Sequence, residues 1–295
     1  MQYIGEIAGV ATALSWTATA LFFQQASRRI GSLVVNLLRL VLAALFYMVY
    51  TKITHGVFFP QVSLHAWTFL GISSIIGFVL GDFFLFKSYE YISSRTSMLV
   101  FSIAPPISAL LGLVMLDEKL SPMNIVGMLV VLSGVCVVVL FRQHADEDKK
   151  THAKRGVMYA ALGAVGQGVG SVFSKLGMGD YDPFVASQVR VLVGVVGFLV
   201  VITAMKRWPL VKRSFSDMKG LKFTAFGAFF GPFLGVGLAM VSFKYIPVGI
   251  ASTLMSTMPV FILAPSAIFL KEKLTFREVI GAFVAVAGIL IFFLA

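Results

Sequence analysis

Ten long apolar runs, separated by short polar segments, dominate this chain. They cover approximately residues 5–25, 33–51, 66–90, 96–116, 123–141, 156–175, 184–204, 221–243, 249–270 and 277–294. Each run is long enough to cross ~30 Å of hydrocarbon as a helix of about 20 residues. A β-barrel is not expected, because barrel strands alternate apolar and polar residues. The pattern predicts an all-α integral membrane protein with ten transmembrane helices.

Composition supports the same class of protein. The chain is 58% hydrophobic and 13% charged, with a mean hydropathy of +0.93, whereas soluble domains carry roughly 25% charged residues. A net charge of +11 would suggest nucleic acid in a soluble protein. Here the basic residues flank apolar runs, so the expected partner is the lipid bilayer and no nucleic acid is expected.

The basic residues also predict an orientation. Loops after odd-numbered runs hold 18 of the 24 Lys and Arg residues, and loops after even-numbered runs hold 4. Because Lys and Arg accumulate in cytoplasmic loops, the odd loops are expected in the cytoplasm. Both termini are therefore predicted to lie outside a cytoplasmic (inner) membrane.

The chain contains an internal duplication. Residues 93–140 align with residues 247–294 without a gap at an offset of 154, and ten of the 48 positions are identical. The match includes a proline, a Glu-Lys-Leu tripeptide and two glycines at the same spacings. It extends backward to Gly81 and Gly235, and to Tyr91-Ile92 and Tyr245-Ile246, while an offset of 151 aligns the first two runs of each half. The predicted organisation is a five-helix repeat over 1–142, a charged linker over 143–155 and a second five-helix repeat over 156–295.

Five helices per repeat is an odd number, so the second copy should enter the membrane in the opposite direction. Inverted repeats are typical of secondary transporters, whose substrate site lies near the bilayer midplane between the repeats. The duplication therefore favours transport by alternating access around a central cavity.

Equivalent prolines and glycines mark two pairs of helices. Pro105 and Pro259 lie inside the fourth and ninth runs, where each proline frees a carbonyl and kinks its helix. The kinks either line a cavity and flex, or they pack statically. Glycine pairs in the fifth and tenth runs (127 and 134, 281 and 288) each share one helix face. Such faces allow close packing in lipid, either within the chain or in a homodimer.

Asp82 is the candidate residue with the most specific chemistry. A carboxylate near the centre of a membrane helix costs about 2.5–3.5 kcal/mol, so it should be protonated, paired or exposed to a cavity. It would carry a coupling proton, contact a cationic group, or form a structural pair with a residue such as Lys87, Arg39 or Lys175. Its counterpart in the second repeat is Val236.

Other polar or aromatic residues inside the runs are further candidates. Arg39 and Arg190 occupy equivalent positions, where they either extend to the interface or bind anionic groups. Trp16 lies near the middle of the first run, where it either shapes a cavity or packs against other helices. Gln24, Gln167 and Lys175 contact either substrate or other helices. Glu118-Lys119 and Glu272-Lys273 follow the fourth and ninth runs and are interpreted as solvated or helix-capping groups.

The chain contains none of the common catalytic or metal-binding motifs. It lacks His-Glu-x-x-His, a P-loop, Gly-x-Ser-x-Gly and a cysteine pair. No enzymatic activity, cofactor or metal is therefore expected, and an ion gradient or the substrate's own gradient would supply the energy.

These marks in this order resemble the ten-helix EamA type of the drug/metabolite transporter superfamily. The marks are a tryptophan in the first run, an arginine in the second run of each repeat, and a proline followed by an acidic Glu-x-Leu segment. The resemblance implies a ten-helix bundle around a central cavity and favours export of amino acids or other small metabolites. The chain lacks the mid-helix glutamate of the first span that the small four-helix multidrug relatives carry.

The predicted function is a secondary transporter of a small polar metabolite, such as an amino acid or a derivative. A translocator of sugar or nucleotide derivatives or lipid intermediates is one alternative. A non-transporting membrane subunit is an alternative from another class.

Overall fold

A computed structural model describes residues 3–88, 91–92, 94–141, 153–269 and 274–294. Its ten long apolar helices confirm the predicted all-α fold and its ten candidate membrane spans. These segments, named α1 to α10, run Ile4–Ile30, Ser32–His55, Leu64–Leu85, Ser97–Met115, Pro122–Phe141, Lys154–Met178, Pro183–Ala204, Met218–Tyr245, Val248–Pro265 and Phe276–Leu294. A short helix at Trp208–Ser214 connects α7 to α8. The molecule is a multi-pass membrane protein.

The first helix of each repeat packs against the other repeat. A Cβ on Gly5 in α1 would lie 2.6 Å from Ile246 Cγ2, and a Cβ on Gly156 in α6 would lie 2.6 Å from Ile92 Cγ2. Gly5 and Gly156 correspond at the offset of 151, and Ile92 and Ile246 correspond at the offset of 154. The two repeats thus make equivalent contacts with each other, while their inversion relative to the membrane stays a prediction.

The helices α5 and α10 are held together through their glycines. A Cβ on Gly134 would meet the backbone of Ala285 and lie 2.6 Å from the Gly281 carbonyl oxygen, and a Cβ on Gly288 would lie 2.6 Å from the Val131 nitrogen. Larger residues would separate the two backbones, because small residues are what permit such close approach in lipid. These glycine faces pack within the chain.

Two helices in each repeat depart from regular α geometry near the centre of the bundle. In α3 the stretch Ile75–Gly81 is π-helical, and in α8 the stretch Phe229–Gly235 is π-helical at the same offset of 154. α4 is interrupted between Phe101 and Ala104, and α9 is interrupted between Met255 and Met258.

The prolines account for the interruptions in α4 and α9. Pro105 and Pro259 lack an N–H, so the carbonyls of Phe101 and Met255 lose their helical donors. A π-helical stretch likewise rotates the side chains that follow it, and such stretches are frequent at functional sites. All four irregular stretches surround the same central space.

Candidate functional site

A cavity of about 440 Å³ occupies the centre of the bundle. Both repeats contribute to its wall, which is lined by Trp16, Thr19, Ala20, Phe23, Gln24, Ser27, Ser32, Val35, Asn36, Arg39, Leu40, Phe78, Asp82, Leu85, Phe101, Gln167, Gly231, Pro232, Val236 and Met258. Most of these side chains come from the end of α1, the beginning of α2 and the end of α3. The cavity therefore extends toward the end of the bundle that contains the α1–α2 connection, which we call the Gln24 end.

An ion pair between Arg39 and Asp82 lies in this cavity wall. The Arg39 Nη2 donates to Asp82 Oδ2 at 2.6 Å, and the side chains retain 17% and 23% of their exposure. Asp82 directly follows the π-helical stretch of α3. Because both side chains remain partly exposed to the cavity, the pair can exchange its internal contact for contact with a charged ligand.

The Arg39 guanidinium has donors beyond the one that Asp82 accepts. Its central carbon lies 5.7 Å from the centroid of the Phe23 ring, and its Nε is buried without a partner among the described residues. A guanidinium presents five N–H donors in a planar fork that matches a carboxylate. Arg39 can therefore bind a carboxylate while it remains near Asp82.

The acidic group has no acidic counterpart in the second repeat. Val236 corresponds to Asp82, follows the second π-helical stretch and also lines the cavity. The backbone geometry is thus repeated while the chemistry is not. A substrate would meet charge on one side of the cavity and an apolar surface on the other.

Three further candidates from the sequence line the same cavity. Gln24 lies near the α1–α2 connection, Trp16 lies earlier along α1, and Gln167 comes from α6. Trp16 and Gln167 correspond at the offset of 151, so they occupy equivalent positions in α1 and α6. The structure brings these three residues together with Arg39 and Asp82.

Arg190 is placed elsewhere. Its guanidinium carbon lies 4.4 Å from the centroid of Phe78, and it is Phe78 that forms this part of the cavity wall. The Arg190 Nη1 lies 3.8 Å from Met240 Sδ, and the residue is 5% exposed. In this conformation Arg190 supports the wall from behind and does not face the cavity.

Lys175 is also outside the cavity. Its Nζ donates to Glu118 Oε1 at 2.6 Å and to the Ile246 carbonyl at 2.8 Å. Glu118 Oε2 accepts from the Val248 N–H at the start of α9 at 2.9 Å. Glu118 thus caps α9, which agrees with the helix-capping interpretation from the sequence. The equivalent residues Glu272 and Lys273 lie outside the described residues.

The Lys175–Glu118 contact closes the end of the bundle opposite the Gln24 end. Ile246 also contacts Gly5, and 19 residues separate Gly5 from Gln24 along α1, which corresponds to about 28 Å at a helical rise of 1.5 Å. We call this the Glu118 end. Here α4 and α9 pack directly, with a Ser252–Ser108 hydroxyl hydrogen bond of 3.2 Å.

A second, smaller cavity of about 110 Å³ adjoins the first. Pro105 and Pro259 both line it, so the kinked parts of α4 and α9 do face a cavity. Whether these kinks flex during function stays a prediction. Trp16, Phe101, Gln167 and Met258 line both cavities, and the two spaces are therefore contiguous.

The sequence interpretation did not include several lining residues. Asn36 lies one helical turn before Arg39, and Phe78 lies one turn before Asp82, so each shares a helix face with a candidate residue. Reading those faces in steps of three and four residues would have found both. Phe101 and Met258 would not have been found in this way, because the breaks in α4 and α9 decide where they point.

Comparisons with known proteins agree with this architecture. The model of the EamA-like transporter family matches residues 3–140 and 154–294. A transporter called YetK from Bacillus subtilis (strain 168) is 23% identical over 235 residues, which cover 79% of this chain and 70% of that protein. A transporter from Archaeoglobus fulgidus is 43% identical over 47 residues, which cover 16% of this chain and 17% of that protein.

A solved crystal structure shares the fold. It superposes with a TM-score of 0.79 at 19% identity and covers 100% of this chain and 98% of that chain. The family match extends over both repeats, and both relatives are named as transporters. This chain belongs to the EamA-like transporter family, within the drug/metabolite transporter superfamily.

Proposed function

We propose that this protein is a secondary transporter that exports a small zwitterionic metabolite, such as an amino acid or a derivative, across the cytoplasmic membrane. The observation that carries the proposal is the Arg39–Asp82 pair in the wall of a central cavity. Arg39 would bind the carboxylate of the substrate and Asp82 would bind its ammonium group. The cavity volume falls within the range of about 300–1,000 Å³ that is common for small-molecule sites.

The charges of the cavity favour a zwitterion over a phosphorylated substrate. Among the described residues that line the cavity, Arg39 is the only basic one and Asp82 is the only acidic one. A phosphate group would need additional cations, and Asp82 would repel it. Arg190, which the sequence suggested as a second anion-binding residue, packs behind Phe78.

Alternating access is the mechanism that these contacts support. The cavity extends toward the Gln24 end, while Lys175, Glu118 and the start of α9 are hydrogen-bonded together at the Glu118 end. The distribution of Lys and Arg would place the Gln24 end in the cytoplasm. This conformation would then load substrate from the cytoplasm, and rearrangement of the two repeats would release it outside.

Exchange by purified protein in liposomes tests the proposal. Vesicles loaded with unlabelled alanine and leucine should accumulate the labelled amino acids in counterflow. Arg39→Gln should reduce exchange at least tenfold, because a hydrogen bond to a charged group contributes about 1.5–3 kcal/mol. The matched control is Arg207→Gln, since Arg207 is exposed in the α7–α8 connection. Equal exchange by the wild type, Arg39→Gln and empty liposomes would refute the proposal.

The role of Asp82 can be resolved in the same system. If Asp82 carries a coupling proton, Asp82→Asn should retain exchange but lose flux driven by a pH gradient. If Asp82 binds the ammonium group, both activities should fall at least tenfold. Asp180→Asn is the matched control, because Asp180 is exposed and lies outside the spans. Unchanged exchange and unchanged pH-driven flux in Asp82→Asn would exclude both roles.

A further inference from the structure

The smaller cavity lies between corresponding parts of the two repeats. Its lining contains both members of five pairs that correspond at the offset of 154, namely 98 and 252, 101 and 255, 102 and 256, 104 and 258, and 105 and 259. It also contains Trp16 and Gln167, which correspond at the offset of 151. The cavity therefore lies where corresponding segments of the two repeats meet.

The serine residues of this cavity offer few free donors. Ser102, Ser108, Ser171 and Ser256 each donate a hydroxyl to a carbonyl of their own helix at 2.6–3.0 Å. The Ser252 hydroxyl donates to Ser108 at 3.2 Å. Because these donors are already used, the surface facing the cavity is largely apolar. It is completed by side chains such as Met98, Val135 and Met255.

The volume of the cavity limits what it can hold. A protein cavity of about 150 Å³ lined by apolar side chains accepts benzene, whereas this cavity has about 110 Å³. One water molecule occupies roughly 30 Å³ in the liquid, so the space corresponds to on the order of four groups of that size. A branched aliphatic group fits this space, and an aromatic ring exceeds it.

We propose that the smaller cavity is a side-chain subsite that takes a short aliphatic group of the substrate. It adjoins the charged cavity through Trp16, Phe101, Gln167 and Met258, so a zwitterion bound at Arg39 and Asp82 can extend its side chain into it. The inference rests on the proposed function and specifies its substrate class. The preferred substrates are aliphatic amino acids or derivatives with about three or four side-chain carbons.

Competition in the exchange assay tests the subsite. Glycine, alanine, leucine and phenylalanine would each be added against labelled leucine. Each buried methylene contributes about a fourfold gain in affinity, so leucine should compete at least tenfold better than alanine. Phenylalanine should compete more weakly than leucine, because its ring is larger than the cavity.

Two variants and a matched control test whether the smaller cavity determines side-chain preference independently of binding at Arg39 and Asp82. Val135→Phe would fill the cavity and should abolish the preference for leucine over alanine while exchange of alanine persists. Val126→Phe makes the same change on the same helix at a residue that is 47% exposed, and it should keep the preference. Met98→Ala would enlarge the cavity and should raise competition by phenylalanine at least fivefold.

The outcomes distinguish the two proposals. If the protein exchanges none of the four amino acids, the proposed function fails and the subsite fails with it. If alanine is exchanged but leucine has no advantage, the subsite is refuted and the proposed function stands. The subsite is also refuted if Val135→Phe folds, exchanges alanine and retains the preference for leucine, or if Met98→Ala does not raise competition by phenylalanine.

Discussion

Removing the Lys175 ammonium should release the Glu118 end of the bundle. Lys175 belongs to the second repeat and Glu118 to the first, and their contact is 2.6 Å long with side-chain exposures of 23% and 9%. Lys175→Met retains most of the apolar stem and removes two hydrogen bonds, one to Glu118 and one to the Ile246 carbonyl. Glu118 keeps its hydrogen bond from the Val248 N–H, so the start of α9 remains capped.

The size of the effect follows from these contacts. A hydrogen bond to a charged group contributes about 1.5–3 kcal/mol, and partial exposure places this contact toward the lower value. Since about 1.4 kcal/mol corresponds to a factor of ten, the conformation that is open at the Glu118 end should become about tenfold more populated. The conformation described here would remain available, and the protein should still fold.

Thiol labelling measures this shift. With Cys136 replaced by alanine, Ser252→Cys places a thiol beneath the contact between α4 and α9 at the Glu118 end. A membrane-impermeant maleimide added from that side should label it about tenfold faster in Lys175→Met. Lys244→Met is the control, because among the described residues Lys244 donates to the carbonyls of Asp180 and Tyr181, within its own repeat. Labelling rates within twofold of the parent in Lys175→Met would refute the assigned role of this contact.

Three other predictions concern packing, acid stability and orientation. Gly134→Ala should lower the free energy of unfolding by about 1–3 kcal/mol, because its Cβ would meet the Ala285 backbone. Gly71→Ala is the control, because its Cβ would lie 3.8 Å from its nearest neighbour, and it should not lower the melting temperature in detergent. Equal losses of melting temperature in the two variants would contradict this reasoning. The pKa of Asp217 is lowered mainly by a hydrogen bond from the Gly220 N–H and secondarily by one from Arg29. The stabilising effect of Asp217 should therefore be complete above the ordinary carboxyl pKa and disappear as the pH falls through the lowered pKa. If the melting temperatures of Asp217→Asn and the wild type are identical across this acidic range, the effect is excluded. A reporter fused after Ala295 should be active only outside the cytoplasm, and cytoplasmic activity would reverse the assigned orientation.

Much of the fold could be predicted because membrane insertion imposes simple rules on sequence. A helix must be long and apolar to cross the bilayer, so the ten helices were visible as ten runs. The repeat was visible because prolines, glycines and charges leave few alternatives at positions with special backbone geometry. Arg39 and Asp82 stood out because charges inside membrane helices are costly.

The π-helical stretches could not be predicted in the same way. Neither 75–81 nor 229–235 has a composition that requires i→i+5 hydrogen bonding, and only the second contains a proline, Pro232. Packing against the first helix of the opposite repeat accompanies this geometry: Ser15 donates to the Phe230 carbonyl at 2.6 Å, and Gly166 lies against the Ile76 carbonyl. These partners are distant in sequence, so the local conformational propensity of each stretch does not predict the contacts.

By itself, the sequence determined the class of protein, the number of helices, the duplication and the residue types available for binding, because each of these depends on local hydropathy or on comparison of the chain with itself. The tertiary structure decided which candidates meet. Arg39, Asp82, Trp16, Gln24 and Gln167 share a cavity, whereas Arg190 packs behind it and Lys175 bonds to Glu118 at the far end. The physical reason is that helix rotation, kinks and contacts between repeats set the direction of a side chain, and these depend on packing between segments that are far apart in the chain.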